Sequence, residues 1–232
     1  MKTAEDFQNG QILLIDKPLN WTSFQAVNKM KWALISKINL PKKFKIGHAG
    51  TLDPLATGLL LVCTGKFTKR ITELQGQAKE YTGTFYMGAT TPSYDLETEI
   101  DQTFPTEHID ETLVQETVKQ FLGEIDQKPP IYSAIKKDGV RLYEHARAGE
   151  VIEIASRKTT IHEFEITRIA IPEIDFRVVC SKGTYIRSLA FDFGKALNSG
   201  SHLTALRRTK IGNYDVIDAM DVTVFEHSLT AK

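Results

Sequence analysis

The apolar positions change period several times along the chain, and each change predicts an element. Positions 11–15 read as a short strand closed by Lys17-Pro18. Thr22 and Gln25 make a capping-box pattern. After them Val27, Met30, Leu34 and Ile35 share one helical face, with lysines on the other. The apolar run 59–63 has the length of a buried strand. Tyr81, Gly83, Phe85 and Met87 alternate with Thr82, Thr84 and Tyr86, the pattern of a half-buried strand. Val114, Val118, Phe121 and Leu122 predict a second helix stopped by Gly123. Segments 159–171 and 174–180 read as a strand pair joined through Pro172. Thr184 is placed to cap a third helix with an inner face of Ile186, Leu189, Ala190, Phe193 and Leu197. Strands and helices mix without strict alternation, so the fold class is α+β.

Length alone allows one large domain or two small ones, and 232 residues can bury a sizeable core. With no repeat and no low-complexity linker, one catalytic domain over 1–232 is expected. Segment 128–156, rich in Pro, Lys, Arg and Gly, reads as an inserted surface element. The short apolar runs give no membrane span, and the acidic N-terminus is not a secretory signal. Cys63 and Cys180 each sit in an apolar segment and read as buried free thiols of a cytoplasmic protein. No Cys or His spacing suggests a metal, and no cofactor is expected.

The net charge is zero, which at first argues against a nucleic-acid partner. Its distribution argues the other way. Lys29, Lys31, Lys37, Lys42, Lys43 and Lys45 share one stretch without an acid. Lys182, Arg187, Lys195, Arg207, Arg208 and Lys210 oppose only Asp192. The acids crowd between Asp95 and Asp126, where Lys119 is the only base. Such a layout suits a phosphate backbone on one face, although charge runs of this kind are commonly just solvated.

The chemistry concentrates in 47–58, Gly-His-Ala-Gly-Thr-Leu-Asp-Pro-Leu-Ala-Thr-Gly. Glycines let the backbone turn or come close to a partner. Pro54 biases Asp53 toward an extended conformation and so aims its carboxylate. Leu52 and Leu55 partly desolvate it. Taken alone, a Gly-Asp-Pro loop more often holds an aspartate that merely caps backbone amides. The whole string, however, closely resembles the catalytic motif of the TruB family of pseudouridine synthases.

Further segments resemble that family in order. They are Leu14-Ile15-Asp16-Lys17-Pro18 with Trp21-Thr22-Ser23, then Lys79-Glu80-Tyr81, and Pro129-Pro130-Ile131-Tyr132-Ser133-Ala134 on to Gly139, Arg141-Leu142-Tyr143-Glu144 and Ala146-Arg147. Last come Cys180-Ser181-Lys182-Gly183-Thr184-Tyr185-Ile186-Arg187 and the stretch from His202 to Leu206-Arg207-Arg208-Thr209. Asn20 stands where the family usually has glycine, a mild departure because Asn tolerates a left-handed backbone. The loop 91–98, Thr-Pro-Ser-Tyr-Asp-Leu-Glu-Thr, departs from the family's usual acidic pattern. The chain resembles a short form without the C-terminal PUA-type RNA-binding domain that many members carry.

The resemblance implies the pseudouridine-synthase fold, a central mixed and largely antiparallel sheet flanked by helices, with 128–156 as a thumb insertion. It implies a monomeric tRNA pseudouridine synthase acting on the T-loop uridine, conventional tRNA position 55, of the T-arm stem-loop. Asp53 is then the catalytic aspartate and His48 fills space vacated in the RNA loop. Tyr81 stacks on the flipped uracil, Tyr185 contacts the base and takes its C5 proton, Arg187 pairs with Asp53, and Leu206 packs the pocket. Lys17, Lys42, Lys43 and Lys45 meet phosphates. Two rivals are a tRNA-binding or tRNA-folding module without catalysis and a glycosidic hydrolase. The first does not account for Asp53, Tyr81, Tyr185 and Arg187 occurring together. The second normally wants two facing carboxylates, and the string 47–58 supplies one, Asp53.

Overall fold

The computed structural model describes residues 2–133, 135–137, 139–150 and 152–229. The chain divides into two compact units, 1–81 with 207–232, and 82–206. The first unit begins with helix α1 (Ala4–Asn9), strand β1 (Ile12–Lys17), helix α2 (Ser23–Ile38), strands β2 (Ile46–His48) and β3 (Ala56–Thr64) and helix α3 (Ile71–Gly76). Strand β4 (Lys79–Met87) leads into the second unit. There follow β5 (Ala89–Thr90), β6 (Gln102–Thr103), α4 (Glu111–Lys119), β7 (Gly123–Gln127), β8 (Lys136–Lys137), β9 (Val140–Arg141), α5 (Leu142–Arg147), β10 (Arg157–Ala170), β11 (Glu173–Cys180) and α6 (Ile186–Ala196). Strand β12 (Ser201–Ile211) returns to the first unit, which ends with β13 (Tyr214–Asp215), β14 (Met220–Asp221) and α7 (Val222–Ser228).

The first unit is built on β1 and β3. They run antiparallel, with Ile12 opposite Cys63 and Lys17 opposite Gly58. β14 adds parallel to the far edge of β1, and β2 pairs antiparallel with β3. The Thr22–Gln25 capping box forms as expected and starts α2. The inner face of α2 (Ala26, Val27, Met30 and Leu34) packs with Ile15, Leu60 and Val62 of the sheet and with Phe225 of α7. The sequence did not announce α1. Its N-cap Thr3 and Asp6 make a second capping box, and Phe7 buries against Phe225 in an edge-to-face contact.

In the second unit β10 pairs antiparallel with β11 and, on its other side, with β7. Phe85, Phe164, Phe176 and Phe193 form an aromatic core, with Phe85 and Phe176 stacked at 4.1 Å. Cys63 and Cys180 are buried, and no disulfide joins them. The sequence picture needs three corrections here. The second helix ends at Lys119, and Gly123 opens β7 instead of stopping a helix. Residues 201–211 form a long strand that was not anticipated. The N-cap of α6 is Tyr185, because the Thr184 hydroxyl is already engaged by Thr159 and by the Ser181 carbonyl. Parallel and antiparallel pairing within mixed helix-and-strand units is the expected α+β class. In the expected thumb, Ala134 and the side chains of Arg141 and Arg147 lie outside the described residues. Among the described residues no helix is long and apolar enough to cross a membrane.

Candidate active site

In the first unit, Asp53 lies half-buried between β2 and β3, on a loop gripped at several backbone atoms. The Ser23 hydroxyl, at the start of α2, accepts from Leu52 N at 2.8 Å and donates to Leu52 O at 3.1 Å. Asn20 N donates to Pro54 O at 2.9 Å, and Ala56 N donates back to Asp53 O at 3.1 Å. Asn20 has φ 63°, the left-handed conformation that its place in a glycine position requires. Gly58 has φ +101°, and a Cβ there would sit 2.2 Å from Arg208 O, so only glycine fits.

Two buried cations stand behind this loop. Arg208 is 1% exposed, and its guanidinium donates to Leu59 O at 2.8 Å, Gly50 O at 3.0 Å and Thr51 O at 3.5 Å. Lys17 is 0% exposed, and its ammonium donates to Trp21 O at 2.6 Å, Pro18 O at 2.8 Å and Pro54 O at 3.5 Å. The expectation that Lys17 meets phosphate is therefore overturned, since its charge is spent on carbonyls inside the protein. Burial pushes the Lys17 ammonium down to about 8, with Arg208 adding to the push and the Asp53 carboxylate opposing it. Burial and Arg208 also lower the pKa of His48, while a Gly50 backbone group opposes the shift. His48 Nδ1 is buried without a hydrogen-bond partner among the described residues. Lys42, Lys43 and Lys45 are exposed, where phosphate could reach them.

Tyr81 lies on the buried face of β4, 9% exposed. Its strand is tied down by Lys79, which donates to Gln75 O and Gln77 O, both at 2.6 Å, and by Glu80, which accepts from the Thr209 hydroxyl at 2.8 Å. Arg207, next to Arg208 but on the opposite face of β12, forks onto Asp16 at 3.0 and 2.6 Å.

In the second unit, Tyr185 and Arg187 sit at the start of α6. The Gln127 side chain, 2% exposed, holds the Tyr185 backbone at both ends. Its Oε1 accepts from Tyr185 N at 2.8 Å and its Nε2 donates to Tyr185 O at 3.0 Å. Ser188 donates to Lys128 O at 2.7 Å one turn on. Arg187 is 4% exposed, and a cation at a helix N-terminus is disfavoured by the helix dipole. Loop 91–98 compensates. Arg187 Nη1 donates to Ser93 O at 3.2 Å, and its Nε lies 3.5 Å from Asp95 Oδ2. Asp95 is itself fixed by Glu97 N at 2.9 Å. Thr91 and Ser93 both donate to its carbonyl. Tyr94, at φ 64°, stacks on Phe191 of α6 at 4.2 Å. Leu206 is half-buried on β12.

Sequence reasoning missed Asp95, Gln127 and Arg208. The signals were present but thin: an acid among small hydroxyls, a glutamine before Lys128-Pro129-Pro130, and one of two adjacent arginines that a strand must turn inward. Among the described residues no group of three His, Cys, Asp or Glu is arranged to hold a metal.

The sequence profile of the TruB family pseudouridylate synthase (N-terminal domain) matches residues 37–186. The chain belongs to this family. Its TruB-family relatives include a protein of Flavobacterium johnsoniae named tRNA pseudouridine synthase B, 84% identical over 98% of this chain and 99% of that protein. A protein of the same name from Phocaeicola vulgatus is 54% identical over 95% of this chain and 93% of that one. Among solved structures, a Cbf5-Nop10-Gar1 complex contains a chain 31% identical, with TM-score 0.69, covering 92% of this chain and 52% of its own. An H/ACA RNP bound to a substrate RNA containing 2′-deoxyuridine contains one 27% identical, with TM-score 0.66, covering 92% and 51%. The chain thus spans about half the length of those solved chains. The α+β fold is the pseudouridine-synthase fold.

Proposed function

We propose that the chain converts uridine to pseudouridine in tRNA, at the T-loop uridine of position 55. The reaction breaks the N1–C1′ bond and forms C5–C1′ on the same base, with a proton lost from C5 and one gained at N1. It requires the base to leave the RNA stack, at roughly a few kcal/mol. Asp53 acts at the ribose or the ring. Tyr81 stacks on the uracil, Tyr185 receives the C5 proton, and Leu206 packs beside it. His48 fills the space the base leaves. Lys42, Lys43 and Lys45 meet phosphates of the T-arm stem-loop, and 128–156 grips it as a thumb. The chain acts as a monomer in the cytoplasm, as one catalytic domain.

The observation that most supports this reading is the loop around Asp53. Its left-handed glycine, its proline and its buried cations hold the backbone on either side of a half-buried carboxylate, and this is costly for a turn with only a structural role. The names of the 84% and 54% identical relatives support the choice of tRNA. The test is to incubate the protein with an unmodified tRNA transcript and map pseudouridine chemically. Product at the T-loop uridine, and none when that uridine is replaced by cytidine, is the expected result. Tight binding without product would leave a tRNA-binding module in its place.

A further inference from the structure

Arg208 has no part in the roles assigned above, yet it is among the largest fully buried side chains of the protein. An unpaired charge in such a place is strongly disfavoured, so something must offset it. Three backbone carbonyls do so, and all belong to the stretch that carries Asp53. Gly50 O and Thr51 O lie on the limb that enters the turn, and Leu59 O lies on the limb that leaves it. The backbone of Arg208 takes part as well. Gly58 packs so close to it that a Cβ would lie 2.2 Å from Arg208 O and 2.8 Å from Arg208 N. One residue of β12 therefore fixes both ends of the loop, three residues before Asp53 and five after it.

We propose that Arg208 is a positioning residue for Asp53, clamping the two limbs of its loop through the planar guanidinium so that the carboxylate is aimed before RNA arrives. The proposal rests on the reading of Asp53 as the reacting carboxylate. Arginine suits this place because its planar fork presents several N–H donors in fixed directions to carbonyls on both limbs, a directionality that a flexible ammonium lacks. Its charge also acts on His48, which it helps to hold in the neutral form. Replacing Arg208 should thus move two separate things, the geometry of the loop and the titration of the histidine five residues before Asp53.

The experiment compares the unaltered protein with Arg208→Lys and Arg208→Gln. Single-turnover pseudouridine formation on a tRNA transcript should fall about 10²-fold in both, the scale of an ångström-sized misplacement, while tRNA affinity stays near that of the unaltered protein. Amide hydrogen exchange should speed up at Leu52 and Ala56 and stay unchanged in α6. The His48 titration, followed by NMR, should move to higher pH in Arg208→Gln and less in Arg208→Lys. Should a variant fail to fold, the unaltered protein still decides. The Arg208 Nε proton, donated to Leu59 O, must exchange as slowly as the loop amides, and fast exchange there overturns the clamp. A rate loss matched by an equal loss of affinity, or exchange unchanged in the loop, also overturns it. The exchange and titration readouts need no RNA. An unaltered protein that makes no pseudouridine therefore counts against the function and not against the clamp.

Discussion

The loops 47–58 and 91–98 hold charged side chains by opposite means. Loop 47–58 carries its own aspartate and is fixed by its backbone, with Ser23, Arg208, Lys17 and Asn20 all gripping main-chain atoms. Loop 91–98 serves a residue on a helix. It presents the Asp95 carboxylate and the Ser93 carbonyl to the Arg187 side chain, and stacks Tyr94 on Phe191. In the first case the backbone on both sides of Asp53 is what the surrounding groups hold. In the second the buried charged side chain is itself held, with the Asp95 carboxylate 3.5 Å from its Nε. Backbone anchoring should make the first loop sensitive to glycine substitution, and side-chain anchoring should make the second sensitive to loss of charge.

The largest expected effect tests the second loop. Asp95→Ala removes the carboxylate beside a guanidinium that is 4% exposed, and should cost about 3–5 kcal/mol of stability in urea unfolding. A loss below about 1 kcal/mol, the range of exposed pairs, would show that Arg187 does not depend on this loop. Next comes Gly58→Ala in the first loop. A side chain at φ +101° against Arg208 should cost roughly 2–4 kcal/mol from backbone strain and overpacking together. A variant as stable as the parent would mean that the loop is held loosely.

Gln127→Leu follows. It strips the Tyr185 N–H and carbonyl of their partner, an expected cost of about 1–3 kcal/mol. If Tyr185 must be aimed, the single-turnover rate should fall more than tRNA affinity does. Equal falls in rate and affinity would assign Gln127 to general stability.

The smallest effect concerns pH. Folded Lys17 has its pKa lowered from 10.5 to about 8, so between these values the unfolded chain binds more protons than the folded one. Stability contributed by this group is therefore lowest below pH 8 and rises with pH up to 10.5, by at most about 1.4 kcal/mol per pH unit. The stability of the unaltered protein minus that of Lys17→Met should grow by about 1 kcal/mol between pH 8 and 9. A flat difference would show that Lys17 keeps its proton throughout this range.

Much of this was legible in the sequence where local signals were strong. The Thr22–Gln25 box, the alternation through Phe85 and Met87, the paired strands on either side of Pro172, and the inner face of α6 were all plain. Asn20 was recognised as a residue able to stand in for glycine, and its φ of 63° agrees. Strand β12 was hidden because its alternation buries an arginine and a histidine where a hydrophobe is usual. Lys17 was misread because a lysine beside a proline carries no mark of burial. Only the arrangement of Pro18, Trp21 and Pro54 carbonyls around its ammonium explains it. Asp95 was out of reach for a related reason. Its partner lies 92 positions further on, and nothing in the spacing joins Asp95 to Arg187. Side chains that answer to tertiary contacts instead of to their neighbours in sequence are the ones a linear reading loses.

The central claim is that Asp53 carries out the isomerisation of a tRNA uridine. The most direct measurement incubates the unaltered protein and Asp53→Asn with an unmodified tRNA transcript, maps pseudouridine chemically, and measures tRNA affinity in parallel. The amide is isosteric with the carboxylate but cannot act as nucleophile or base. The account predicts pseudouridine at the T-loop uridine with the unaltered protein, none with Asp53→Asn, and closely similar affinity for both. Pseudouridine formed by Asp53→Asn at near the unaltered rate would contradict it.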